Sequence, residues 1–205
     1  MLRAFIAVEL NDEIRSAISA LQGRVRGELQ KELSKFSPDA RLQWVKPQSI
    51  HLTLKFLGDI REDQVQAIGE AMTAALNPQA AFSLNLGGLG VFPDSRAPRV
   101  LWIGLEPASS VPLSAITALA GAVEQAMADL HFPREAKPFT PHLTLARIKE
   151  CNREIGKALS NAGLLETTRT IGTLPVHSVS LIKSLLQPSG AVYDRLREVP
   201  LRGSD

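Results

Sequence analysis

The tetrapeptide His-Leu-Thr-Leu occurs twice in this chain, at His51–Leu54 and at His142–Leu145, 91 positions apart. The surroundings repeat as well: Arg3–Glu9 (RAFIAVE) is echoed 96 positions later by Arg99–Glu106 (RVLWIGLE), and a helical pattern follows each. Self-similarity at a period of about 90 residues implies that one unit of strand, helix, strand, helix and strand is duplicated. No linker separates the copies, so the 205 residues read as a single domain with pseudo-repeat lobes at approximately 1–92 and 99–196. The expected fold is α+β: two mostly antiparallel sheets with helices on the outside, set around a central cleft. A doubly wound parallel sheet is the alternative. It is less favoured, because matched strands readily make two lobes about a pseudo-twofold axis.

Local patterns place the elements. Asn11 can cap a helix that carries Ile14, Ile18, Leu21, Val25 and Leu29 at helical spacing. The turn-prone Ser37-Pro38-Asp39 precedes a strand over Ser49–Phe56 that stops at Gly58. Asp59 with Glu62 makes a capping-box pattern for the next helix, which holds Val65, Ile68, Met72 and Leu76 and ends at Asn77-Pro78. Phe82–Phe92 reads as a strand with an irregularity at Gly87-Gly88, and Pro93–Pro98 as a loop. A helix carrying Leu113, Ile116, Ala120, Val123, Met127 and Leu130 follows the second opening strand. A strand over His142–Ile148, a short helix over Asn152–Gly163, and strands within Thr173–Leu185 and Ala191–Leu196 complete the chain.

Composition narrows the functional classes. Apolar residues make up 44% of the chain and charged residues 21%, the balance of a globular protein. The single cysteine, Cys151, excludes an internal disulfide framework and a cysteine-only metal cluster, and suits a reducing cytoplasm. No signal peptide stands out, and no apolar run reaches the roughly 18–20 residues that span a bilayer. Phosphate-loop, nucleophile-elbow and zinc-helix motifs are absent from the sequence. The net charge of +2 hides an uneven distribution. Arg41–Lys55 holds three basic residues and no acidic one, while Arg134–Lys149 holds four against the single Glu135. A positive field therefore surrounds both repeated motifs, as an anionic substrate requires.

In a strand, residues two apart share a face, so His51 with Thr53 and His142 with Thr144 point one way while Leu52, Leu54, Leu143 and Leu145 point to a core. A pseudo-twofold axis would bring the two His-Thr faces together. Imidazole both donates and accepts protons near neutrality, so one histidine can serve as base and the other as acid. The threonine hydroxyls add donors for an anion held between them. In-line displacement at a phosphodiester needs such an arrangement. Strict alternation gives Lys55 the parity of His51 and makes it a further phosphate-binding candidate. Arg147 falls on the opposite face from His142 unless a bulge or strand end intervenes. Phe5, Phe56, Phe139 and Tyr193 are candidates for stacking on a base. His131, His177 and Cys151 lack such a context. Two histidines without a carboxylate do not make a catalytic zinc site, so no metal is expected.

These residues resemble the 2H phosphoesterase superfamily, whose members carry two H-x-[ST]-x motifs on related lobes. The chain is most similar to the RNA 2′,3′-cyclic phosphodiesterases, also called 2′-5′ RNA ligases. RAFIAVEL, WVKPQSIHLTLKFLGDI (Trp44–Ile60), GVFPDSRAPRVLWIGLE (Gly90–Glu106), KPFTPHLTLARIK (Lys137–Lys149) and KSLLQPSGAVYDRL (Lys183–Leu196) carry the resemblance. It implies hydrolysis of RNA 2′,3′-cyclic phosphodiester ends to 2′-phosphomonoesters with no cofactor. His51 would be the proton donor and His142 the proton acceptor. Thr53 and Thr144 would hold phosphate oxygens, with Arg147 as a further contact. The implied partner is RNA with a 2′,3′-cyclic phosphate end or a small cyclic nucleotide, in the cytoplasm, with no membrane and no obligate protein partner. A nucleotide-binding module without turnover, and 2′-5′ ligation as a side or reverse activity, are the alternatives.

Overall fold

The computed structural model describes residues 1–108, 111–167, 169–187 and 190–203, without the side chains of 186, 187 and 190. The first half of the chain forms β1 (Leu2–Val8), α1 (Asp12–Leu33), β2 (Gln43–Trp44), β3 (Leu52–Ile60), α2 (Gln64–Leu76) and β4 (Phe82–Phe92). The second forms β5 (Val100–Pro107), α3 (Ser114–Asp129), β6 (His142–Arg147), α4 (Asn152–Asn161), β7 (Gly172–Val176), β8 (Ser178–Gln187) and β9 (Gly190–Pro200). Pro188 and Ser189, within the last segment that carries the family resemblance, lie outside the described residues.

The strands build a four-stranded sheet, β3-β1-β8-β9, and a five-stranded sheet, β2-β6-β5-β4-β7. All named pairings are antiparallel, which agrees with the expected α+β class and excludes the doubly wound alternative. Apart from β2, the two sheets match over their first three strands. In each, the His-Leu-Thr-Leu strand lies beside the opening strand of its own half. The third place belongs to the other half: β8 pairs with β1, and β4 with β5. Each sheet thus draws on both halves of the sequence.

One extensive core lies between the helices and one face of each sheet, and it contains Ile6, Val8, Leu52, Leu101, Ile103 and Leu143 together with the apolar stripes of all four helices. Asn11 caps α1 by accepting the Ile14 N–H at 3.0 Å, and Ile14, Ile18, Leu21, Val25 and Leu29 are buried as their spacing predicts. The Gly87-Gly88 irregularity is present as a register shift in the β4–β5 pairing. Three local expectations fail. Asp59 caps nothing, because β3 runs past Gly58 to Ile60 along β1, and α2 begins only at Gln64. Ser49 belongs to a 3-10 turn over Pro47–Ser49, so the strand starts at Leu52. Thr173–Leu185 is two strands, β7 and β8, in different sheets. Among the described residues, no helix is long and apolar enough to cross a membrane.

Candidate active site

The two repeated motifs share an irregularity that alternation alone does not reveal. Along β3, Thr53 stands opposite Ala7 and Lys55 opposite Ile6, leaving Leu54 without an opposite residue. Along β6, Thr144 stands opposite Trp102 and Ala146 opposite Leu101, leaving Leu145 unmatched. Both strands therefore bulge at the last residue of His-Leu-Thr-Leu, and a bulge inverts the facing of the residues that follow it, in β3 as far as a second shift at Leu57. Leu54 and Lys55 are both buried, as are Leu145 and Ala146. The fifth residue after each histidine, Phe56 or Arg147, is turned outward and exposed.

This inversion corrects the reading of Lys55. Its side chain enters the interior, is 1% exposed, and donates hydrogen bonds to Glu124 Oε2 at 2.7 Å and to the Pro133 carbonyl at 2.9 Å. It ties β3 to α3 and is not on the histidine face. Burial alone would raise the Glu124 pKa, but hydrogen bonds from Lys55 and the Glu135 N–H, with the charges of Lys55 and Arg134, hold it below the ordinary carboxylate value. The same inversion brings Arg147 to the side of His142 and Thr144, where its charge acts on His51 and Tyr193. A buried amide that sequence reasoning missed secures this bulge. Gln22 of α1 donates through Nε2 to the carbonyls of Val45 at 2.8 Å and Leu145 at 3.0 Å. The signal was a polar residue one position past Leu21 on the helix's apolar stripe.

β3 and β6 lie close to one another, and Arg147 of β6 is near enough for its charge to act on His51. His142 stands opposite Gly104, and its Nδ1 lies 2.8 Å from the Thr140 carbonyl. A carbonyl only accepts, so Nδ1 carries the hydrogen and Nε2 is left for chemistry. The backbone of Ser49, also two residues upstream, acts on His51 and favours its charged form. Thr53 and Thr144 are half-buried, and among the described residues neither hydroxyl has a hydrogen-bond partner.

The aromatic surroundings of the two histidines differ. His51 stacks on Phe5, with centroids 4.4 Å apart and planes 24° from parallel, and meets Tyr193 edge-on at 5.2 Å. His142 meets Phe92 edge-on at 5.0 Å and lies 6.1 Å from Trp102. Trp102 can lie flat because Gly90 is bare; a Cβ there would come within 2.2 Å of the indole. Burial pulls the His51 pKa down to about 4; the Ser49 backbone and Glu9 oppose this and Arg147 adds to it. Burial likewise raises the Tyr193 phenol, against the pull of Arg147. Of the stacking candidates, Phe56 is 62% exposed, Phe5 and Tyr193 frame His51, and Phe139 packs against the main core.

His131, His177 and Cys151 are all exposed. Among the described residues, no three His, Cys, Asp or Glu side chains stand close enough together to hold a metal ion.

Two antiparallel sheets, each carrying one His-x-Thr pair and lying close to one another through β3 and β6, make the frame of a phosphoesterase. The chain belongs to the LigT-like phosphoesterases: the family model described as "LigT like Phosphoesterase" matches residues 8–102 and 107–193. A Methanothermobacter thermautotrophicus protein named RNA 2′,3′-cyclic phosphodiesterase is 31% identical over 192 residues, covering 94% of this chain and 95% of the relative. An Aquifex aeolicus protein of the same name is 37% identical over 164 residues, covering 78% and 82%. Among solved structures, a Thermus thermophilus protein superposes with a TM-score of 0.73 at 28% identity, over 98% of this chain and 99% of the other. E. coli LigT complexed with phosphate gives 0.65 at 25% identity, over 98% and 97%.

Proposed function

We propose that this protein hydrolyses 2′,3′-cyclic phosphodiesters at RNA ends to 2′-phosphomonoesters, in the cytoplasm, by acid–base catalysis from His51 and His142 without a metal. The observation that carries this reading is the matched anchoring of the two rings. Each ring has backbone two residues upstream acting on it, Thr140 within 2.8 Å of His142 Nδ1 and Ser49 beside His51, which leaves the rest of each ring for a proton transfer. Its curated relatives bear the corresponding name.

His142 takes a proton from water through Nε2 as the water oxygen bonds to phosphorus. The bond from phosphorus to O3′ breaks, and His51 gives its proton to the departing O3′. The phosphate remains on O2′. Thr53 and Thr144 donate hydrogen bonds to the nonbridging oxygens, and Arg147 offsets the charge that builds on them. Each turnover leaves His51 neutral and His142 protonated, so exchange with solvent resets the pair.

The test is product analysis on an oligonucleotide with a 2′,3′-cyclic phosphate end, in excess EDTA. A 2′-phosphate product is expected, with losses of about 10²- to 10⁴-fold for His51→Ala and for His142→Ala. Loss of activity in EDTA, a 3′-phosphate product, or near-normal turnover in either variant would overturn the mechanism. Tight nucleotide binding with no hydrolysis would establish a binding module instead.

A further inference from the structure

We infer that Phe5 and Tyr193 are positioning residues for His51: together they form a dry ring slot that keeps the imidazole uncharged in the free protein, so that its proton arrives with the anionic substrate. This rests on the proposed role of His51 as the proton donor.

The slot is set apart from the main core. Phe5, 4% exposed, joins Ala7 and Ile182 in a small apolar cluster on the other face of the β3-β1-β8-β9 sheet, with Tyr193 packed against it. Alternation along β1 aims Ile6 and Val8 at the helices and leaves Phe5 and Ala7 for this face. Phe5 covers one side of the imidazole, and the Tyr193 ring closes perpendicular to it, at 90°. The same tyrosine meets Phe5 edge-on at 5.3 Å, so the three rings brace one another. The ring contacts of His142, by contrast, are at 5.0 and 6.1 Å, with no stacked partner among the described residues.

An imidazolium enclosed this way loses hydration and gains little in return. The charged groups facing His51 act in opposite senses: Glu9 of the β1 end favours the cation and Arg147 of β6 opposes it. Glu9 is itself engaged, accepting from Ser180 Oγ of β8 at 2.7 Å and pairing with Arg195 of β9 at 2.7 Å. From β3 and β6, Thr53 and Thr144 bring no charge, and His142 is the other titratable ring on this side. The Tyr193 phenol is neutral. A phosphate is the one further charge the reaction brings, and its negative charge favours a proton taken from the bulk onto His51.

The experiment is an NMR titration of the histidine rings in the full chain, with and without inorganic phosphate, the His51 signals being identified by their loss in His51→Gln. In the free protein His51 should stay neutral at pH 5–8 and titrate at about 4. Saturating phosphate should raise its proton affinity roughly 10- to 1000-fold. Tyr193→Ala, which opens one side of the slot, should move the free-state titration toward the ordinary value near 6.5 and shrink the phosphate effect. Phe5→Leu should do the same. If loss of the buried ring unfolds that variant, Tyr193→Ala alone decides. Titration of His51 near 6.5 in the free wild type, no response to phosphate, or an unchanged titration in folded Tyr193→Ala would each overturn the inference. No turnover is needed for this readout, so it fails or holds separately from the proposed hydrolysis.

Discussion

Lys55 offers the sharpest test of the bulge, because alternation assigns it to the phosphate and the bulge assigns it to the interior. The pair it makes is lopsided: the ammonium is enclosed, at 0% side-chain exposure, whereas Glu124 is at the rim, at 22%. Glu124→Ala leaves the buried cation with only the Pro133 carbonyl, and stranding a buried charge costs about 3–5 kcal/mol. Lys55→Met keeps the aliphatic stem and frees Glu124 to hydrate, so its cost is that of a lost charged hydrogen bond, about 1.5–3 kcal/mol. In a chain of this length each kcal/mol lowers the midpoint by about 2–4 °C. Thermal unfolding should show Glu124→Ala destabilised by roughly 10 °C and Lys55→Met by about half as much. Hydrolysis of a 2′,3′-cyclic nucleotide, normalised to folded protein, should stay within a few-fold of wild type in both. A tenfold or larger fall in kcat/KM for Lys55→Met with an unshifted midpoint would return Lys55 to the substrate site and refute the facing argument.

Three further outcomes follow from the same geometry. Arg147→Ala should lower kcat/KM by about 10- to 100-fold, the worth of one charged hydrogen bond to phosphate, with stability changed by less than about 0.5 kcal/mol because the side chain is exposed; steady-state kinetics and urea unfolding check it. Gln22→Leu strips the amide from the Val45 and Leu145 carbonyls and should destabilise by about 1–3 kcal/mol. It should also lower kcat/KM in the wild type but not in Arg147→Ala, and additive losses would show that Gln22 does not act through Arg147. The Lys55 pair also has a pH signature. The Glu124 pKa is depressed in the folded state, so its contribution is present above the unfolded carboxylate value and lost as pH falls through the folded one. The stability gap between wild type and Glu124→Gln should therefore close on acidification below about pH 4.5, measured by urea midpoints.

The sequence was most readable where one physical signal dominated. Helical spacing found the buried stripe of α1, and the paired glycines marked the break in β4. The equal footing of the two motifs, His51 with Thr53 and His142 with Thr144, followed from repetition. What was not legible depends on pairing between strands distant in sequence. The exchange of β4 and β8 between sheets leaves no local mark, since a strand's pattern records that one face is buried and not which neighbour lies beside it. Thr173–Leu185 reads as continuous for the same reason, because β7 and β8 are separated only by His177.

The bulges are the most consequential of these hidden features, and their placement explains how a duplicated site comes to treat its two ends differently. Both fall on the leucine that ends the motif, so position four after each histidine is driven inward and position five outward. Inward, the first half carries Lys55 and the second Ala146, a difference absorbed by Glu124 and the Pro133 carbonyl. Outward, the first carries the apolar ring of Phe56 and the second the guanidinium of Arg147. The His-Thr pairs remain equivalent by symmetry while the groups beside them do not. With a ring slot around one histidine and edge-on or tilted rings beside the other, the two imidazoles meet different aromatic surroundings. Acid and base roles can then be divided between residues that repetition alone would make interchangeable.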